Sequence, residues 1–167
     1  MSQEVLVVGM SGTGKSTSIS GLDPKETFYI NVAKKSLPFK GWKDLYRAIS
    51  KDNPNGNYFT GDSTKDILAT LEYINDKLPN IKTIIVDDFQ YVMSNEYMRR
   101  AKETGYGKFT DIAQNLWSII NKSKSLRDDL IVVFMMHSEN DYDANGNKIT
   151  KGSFEKTGIV HLAKDAK

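Results

Sequence analysis

The sequence contains no cysteine, which excludes disulfides and thiolate metal sites. That absence fits a reducing, cytoplasmic setting. Excess charge is also missing: 23 basic residues face 21 acidic ones, a net +2. Bulk charge therefore does not point to nucleic acid, although a local patch still can. No apolar run approaches the ~18 residues of a membrane span. The opening MSQEVLVVGM lacks a basic leader segment and runs straight into an apolar stretch, so it is expected to be a strand and not a signal peptide. Arginine is scarce, with only Arg47, Arg99, Arg100 and Arg127. What remains is an ordinary globular composition, 39% hydrophobic and 26% charged over 167 residues, enough for one domain with a sizeable core.

Residues 9–16 read GMSGTGKS, a full match to the phosphate-loop pattern G-x-x-x-x-G-K-[ST]. Glycines let the backbone wrap an anion and turn its N–H groups inward. Lys15 is expected to reach the β- and γ-phosphates, and Ser16 to place a hydroxyl on Mg²⁺. A helix starting near Lys15 would add its positive N-terminal end. The phosphates of ATP are expected on Gly9, Ser11, Gly12, Thr13, Gly14, Lys15, Ser16 and Thr17. The run Val5-Leu6-Val7-Val8 directly before the loop reads as a buried parallel strand.

Further along, apolar runs alternate with helical periodicity, the pattern of an α/β fold with a largely parallel sheet. Strands are expected at 27–32, 83–87 and 130–136, and a last short one at 159–162. Trp42, Leu45, Tyr46 and Ile49 have helical spacing over 41–51. Ser63 reads as an N-cap for a helix with Ile67, Leu68, Leu71, Ile74 and Leu78 on one face, ended by Pro79. A long helix is expected over 108–126, with Phe109, Ile112, Ala113, Leu116, Ile119 and Ile120 on one face. Residues 138–158 turn polar, with Asn145-Gly146 as a hairpin signal. The expected architecture is a three-layer P-loop NTPase fold in one domain over 1–167, with a mainly parallel sheet and a C-terminal β-hairpin protruding at 138–158.

The stretch TIIVDD ends in two acids, Asp87 and Asp88. A buried strand that delivers carboxylates beside a phosphate loop is the Walker B arrangement. Asp87 is expected to hold the Mg²⁺ bound to Ser16, and Asp88 to orient or deprotonate the attacking water. An aspartate is one methylene shorter than the glutamate often found there. The strand FMMHSE ends in His137 and Ser138, and His137 is a candidate for sensing the γ-phosphate or orienting water, against the plainer reading of a satisfied polar side chain.

Together GMSGTGKS, TFYINVAKKSLPFKGWK, TIIVDDFQYVM and VVFMMHSE resemble the phage-encoded nucleotide-binding proteins of RecA-like type, over roughly residues 3–157. These are small ATPases of the AAA/RecA superfamily found near phage recombination and replication genes, and some are regarded as single-strand annealing proteins of the Sak group. The resemblance implies a RecA-like sheet and nucleotide and Mg²⁺ roles for Lys15, Ser16 and Asp87, with Asp88 and His137 beside them. It also implies action with single-stranded DNA in the host cell cytoplasm, and homo-oligomers whose ATP sites lie at interfaces. A neighbouring subunit would then supply a cation, with Arg99, Arg100, Lys148, Lys151 and Lys156 as candidates. Members of the family continue past the hairpin with further sheet, whereas this sequence ends in TGIVHLAKDAK, so the resemblance bears on nucleotide binding more than on turnover.

Two basic stretches fit the single-strand recipe of cations for phosphate and aromatics for bases. The first holds Lys34, Lys35, Lys40, Lys43, Arg47 and Lys51 with Phe39, Trp42 and Tyr46; its plainer reading is an amphipathic helix with the aromatics in the core. The second holds Arg99, Arg100, Lys102 and Lys108 with Tyr97 and Tyr106. Asp141-x-Asp143-x-Asn145-Gly146 matches the front of a calcium loop, but Gly152 stands where the ligating glutamate belongs, so a polar hairpin is expected. Two further functions stay open. A non-hydrolysing, nucleotide-gated interaction module fits Asp88. A small-molecule kinase fits the size and the loop, but such kinases clamp ligands with several lid arginines, and 138–158 has none.

Overall fold

The computed structural model describes residues 1–142 and 145–152. Five parallel strands form one sheet in the order β1-β5-β4-β2-β3. They are β1 (Gln3–Gly9), β2 (Thr27–Asn31), β3 (Tyr58–Thr60), β4 (Thr83–Asp87) and β5 (Ile131–Tyr142). A sixth strand, β6 (Lys148–Gly152), pairs antiparallel with the outer half of β5, Ser138 to Tyr142, and makes the expected hairpin. Residues 153–158 of that expected hairpin and the expected strand at 159–162 lie outside the described residues.

The sheet separates two apolar layers because successive side chains of a strand point to opposite faces. On one face Phe28, Ile30, Ile84, Val86, Val132 and Phe134 pack against α3 (Thr64–Lys77), α4 (Gln90–Arg99) and α5 (Gly107–Lys124). On the other, Tyr29, Ile85 and Met135 meet Ile19, Leu37 and Tyr46. That second face is covered by the single turn α1 (Lys15–Ser18), a 3₁₀ turn at Ile19–Gly21 and α2 (Trp42–Leu45). The result is the expected three-layer α/β fold. In α3 the buried Ile67, Leu71 and Ile74 recur every three or four residues, as a core-facing helix requires. Ser63 sits at its N-cap without a side-chain hydrogen bond there. Each such fully buried Leu or Ile contributes about 1.5–3 kcal/mol.

Two expectations are corrected. The helix expected over 41–51 is only the turn Trp42–Leu45. Asn57 competes for this stretch, accepting from Arg47 N at 2.8 Å and donating to Leu45 O at 3.0 Å. Ile49 N then bonds Tyr58 O at 2.8 Å. Tyr46 and Ile49 end in different apolar layers, so their spacing reflects no common helix face. Second, β1 is not buried. Among the described residues it pairs only with β5, and Leu6 and Val8 are exposed. The helix after the phosphate loop is short, one α-turn over Lys15–Ser18 continued by a 3₁₀ turn to Gly21, so its dipole is small.

Candidate functional site

The parallel strands end along one line, which creates a crevice at their C-terminal edge, the usual ligand position in open α/β sheets. In sheet order the ends are Gly9 on β1, His137 on β5, Asp87 on β4, Asn31 on β2 and Thr60 on β3; Gly9 is in register with His137, and Asn31 with both Asp87 and Thr60. β5 therefore lies between the loop-bearing strand and the acidic strand.

The loop after β1 is built by its glycines. Gly12 and Gly14 adopt φ of 80° and 93°, values that favour glycine. A Cβ on Gly9 would meet Thr13 Oγ1 at 3.0 Å, so a larger residue here requires that side chain to give way. Lys15 Nζ folds back over the loop and donates to Gly9 O at 2.5 Å and Met10 O at 2.8 Å. Thr13 Oγ1 donates to Met10 O at 2.8 Å. Ser11, Gly12, Thr13, Gly14 and Thr17 are exposed, with their backbone open to a ligand.

Ser16 Oγ donates to Asp87 Oδ2 at 2.7 Å, joining loop and acidic strand. The same oxygen accepts from Tyr29 OH at 3.1 Å. Asp87 is 1% exposed, and its Oδ1 is buried with no hydrogen-bond partner. Burial, then the charge and hydrogen bond of Asp87, push the Tyr29 hydroxyl far above the ordinary tyrosine range, so it stays a proton donor. A hard divalent cation fits this donor set. Mg²⁺ keeps several waters and needs few protein ligands, and an unpartnered buried carboxylate oxygen beside a serine hydroxyl offers two. Among the described residues no group of three or more His, Cys, Asp or Glu side chains could hold a metal by itself.

Asp88 follows with φ 58° and is 2% exposed. Lys35 Nζ lies 2.5 Å from its Oδ2, and His137 Nε2 lies 2.9 Å from its Oδ1. His137 is oriented by its own backbone N–H, which donates to Gln90 Oε1 at 3.4 Å, and by an edge-on contact with Tyr91. Ser11, Ala33, Lys35, Asp88, Tyr91, Asn95 and His137 line one cleft of about 530 Å³. All the expected site residues thus gather along the crevice. Tyr29, Asn31, Lys35 and Gln90 join them without having been expected as site residues. For Asn31 a signal existed: it is the polar tip of an apolar strand, as Asp87 is of the next.

The basic stretches are differently disposed. Tyr46 is buried, and Phe39 and Trp42 pack on the second apolar layer, Trp42 lying 5.6 Å from the Tyr58 ring. Lys34 pairs with Asp62 at 3.5 Å and Lys35 with Asp88. Arg99 pairs with Asp62 at 2.7 Å. Arg100 contacts Glu96, Glu103 and Asp111. Lys108 Nζ donates to Glu103 O and sits over the Tyr97 and Phe109 rings. Lys102 and Tyr106 are exposed, Tyr106 at 89%. The side chains of Lys148 and Lys151, and the whole of Lys156 and Asp143, lie outside the described residues. Among the described residues no helix is long and apolar enough to cross a membrane.

A family model described as an AAA domain matches residues 1–160. No individual curated protein matches the chain. The match covers the phosphate loop, both acids and the β5 tip together, and the fold has the parallel sheet such domains share. The chain belongs to this AAA domain family of P-loop ATPases.

Proposed function

We propose that the protein is a Mg²⁺-dependent ATPase that acts with single-stranded DNA in phage recombination or replication, built as one P-loop domain. The observation that carries the nucleotide part is the Ser16–Asp87 hydrogen bond, which brings loop hydroxyl and strand carboxylate to one point beside Asp88. The roles follow from position. Backbone N–H groups from Ser11 to Ser16 and the Lys15 ammonium hold the phosphates of ATP, with Gly9 giving room for the loop and Thr17 beside it. Ser16 and Asp87 hold Mg²⁺, which when bound neutralises charge on the β- and γ-phosphate oxygens. Asp88 accepts a hydrogen bond from water and aims its oxygen at the γ-phosphorus. The new P–O bond forms as the bond to the β-γ bridging oxygen breaks, and that electron pair leaves on ADP. The water's proton passes through Asp88 to the released phosphate. His137 holds Asp88 in place.

The DNA part rests on the family resemblance and on one surface. Exposed Tyr106 and Lys102 lie in the turn between α4 and α5, the mix of ring and cation that stacks bases and neutralises phosphate. Arg99 and Arg100 are already paired, so either would have to leave acidic partners to complete a neighbouring subunit's site.

The test is phosphate release with Mg²⁺, with and without single-stranded DNA, beside Lys15→Ala. Stimulation that disappears in the variant supports the reading. Binding without turnover favours a nucleotide-gated interaction module, a second reading supported by the Lys35 ion pair that already occupies Oδ2 of Asp88.

A further inference from the structure

Lys34 and Asp88 are, among the described residues, the two non-glycine positions with positive φ, 57° and 58°. The left-handed region disfavours any residue with a Cβ, and such strain persists where surrounding structure imposes it. Here the two strained turns serve one contact. Directly after Lys34, the Lys35 ammonium lies 2.5 Å from Asp88 Oδ2 and 3.9 Å from Asp87 Oδ2.

The root of Lys35 is fixed. Asn31, buried at the tip of β2, accepts from Lys35 N at 3.2 Å and donates to Lys35 O at 2.6 Å. Tyr58 OH also holds the Asn31 amide at 2.9 Å. The stem is not fixed, since the side chain is 41% exposed. A lysine stem with a pinned base swings its charge over several ångströms. The cleft it swings in is lined by Ser11 of the phosphate loop on one side and by Asp88 and His137 on the other.

We propose that Lys35 is the cation this chain directs at the γ-phosphate, and that its release from Asp88 is what readies the carboxylate for water. The inference rests on the nucleotide reading above. Without a triphosphate, two adjacent buried carboxylates need a positive partner, and Lys35 supplies it. Only the Lys35 end of the pair is exposed, and a more highly charged phosphate group in the same cleft competes with the carboxylate for it. A diphosphate puts no charge at that point, and the Lys35–Asp88 pair stays closed. Lys35 is thus a phosphate contact in one state and a positioning residue for Asp88 in the other. The site then has its neutralising charge within one chain.

The experiment is calorimetric titration with Mg²⁺-ADP and with a non-hydrolysable Mg²⁺-ATP analogue. Lys35→Ala is expected to weaken the analogue about tenfold, the worth of one charge-assisted contact, and to change ADP affinity by less than about twofold. Lys35→Arg is expected to restore most of the loss. Asp88→Asn is expected to tighten the analogue while Lys35 is present, and to do so distinctly less in the Lys35→Ala background. An equal loss for both ligands, or an unchanged ratio, overturns the inference and leaves the nucleotide site standing. Failure of the unmutated chain to bind either ligand overturns the nucleotide reading, and this inference with it.

Discussion

Ser16 Oγ and Asp87 Oδ2 lie 2.7 Å apart, joined by a hydrogen bond across 71 residues of sequence. The bond holds together the two side chains that would bind Mg²⁺ on the proposed reading, and leaves Asp87 Oδ1 unpartnered. Asp87→Asn is expected to make nucleotide affinity the same in Mg²⁺ as in a chelator, where the unmutated chain binds more tightly with Mg²⁺. Ser16→Ala should lower the Mg²⁺ effect and cost the fold about 1 kcal/mol, one hydrogen bond. Fluorescence titration with and without chelator decides it, and a Mg²⁺ effect that survives in Asp87→Asn removes Asp87 as the ligand.

The Lys15 ammonium bonds two carbonyls of its own loop. Phosphate oxygens would replace those carbonyls as acceptors, and charge-assisted bonds are the stronger ones. Lys15→Ala should lose about 1.5–3 kcal/mol of nucleotide affinity, roughly ten- to a hundredfold. The thermal midpoint should hardly move, because the loop is exposed and contributes little to the core. Undiminished nucleotide binding by a folded Lys15→Ala would place the ligand elsewhere.

The phosphate loop and the acidic strand were legible because each is local. Gly9, Gly14, Lys15 and Ser16 have fixed spacing, and Ile84-Ile85-Val86 before Asp87 is a short β-branched run of the kind strands use. Helices α3 and α5 were legible from their clean apolar stripes. Helix α4 was not: it buries Gln90, Val92 and Met93 but exposes Tyr91, Tyr97 and Met98, so it has no stripe. Strand β3 is three residues long, too short for periodicity to register. The exposure of β1 was hidden because an apolar run looks the same on an edge as in a centre. The contacts of Lys35 and Tyr29 with the acids were illegible for another reason. They depend on β2 lying beside β4, a non-local fact that a linear pattern does not contain.

Arg127 holds five oxygen acceptors at once. Its guanidinium donates to Ile74 O and Asn75 O, at 2.8 and 3.0 Å, and to Leu78 O and Ile81 O. Its Nε reaches Asp129 Oδ1 at 2.8 Å. These carbonyls lie at and just past the end of α3, where Pro79 prevents the helix from continuing, and Ile74 O and Leu78 O also accept from Leu78 N and Ile81 N. Arg127→Ala should cost about 2–4 kcal/mol, since it removes several partly buried hydrogen bonds at once. Arg127→Lys should recover little, because an ammonium cannot reproduce the planar fork. Urea midpoints of both variants give the answer, with nucleotide affinity of the folded protein expected to stay unchanged.

Asp62 gathers three partners from two segments: Arg99 at 2.7 Å and Asn95 at 2.8 Å on α4, and Lys34 at 3.5 Å. Burial pushes its carboxyl up, but the Arg99 and Asn95 hydrogen bonds and the charges of Arg99 and Lys34 outweigh that and hold it below the ordinary 3.8. A depressed carboxyl binds its proton later in the folded state than in the unfolded chain. Its stabilisation is therefore present above pH 3.8 and disappears as pH falls through the lower folded value. Asp62→Asn should lower stability at neutral pH by about 1 kcal/mol or less, because the pairs are partly solvated and screened. It should also flatten the loss of stability below pH 4, where the unmutated chain weakens, so the two proteins converge in acid. Urea midpoints at pH 7 and pH 3 measure this directly. Parallel curves for the two proteins would mean that the acid sensitivity arises at other carboxylates and that Lys34 and Arg99 are held by something besides Asp62.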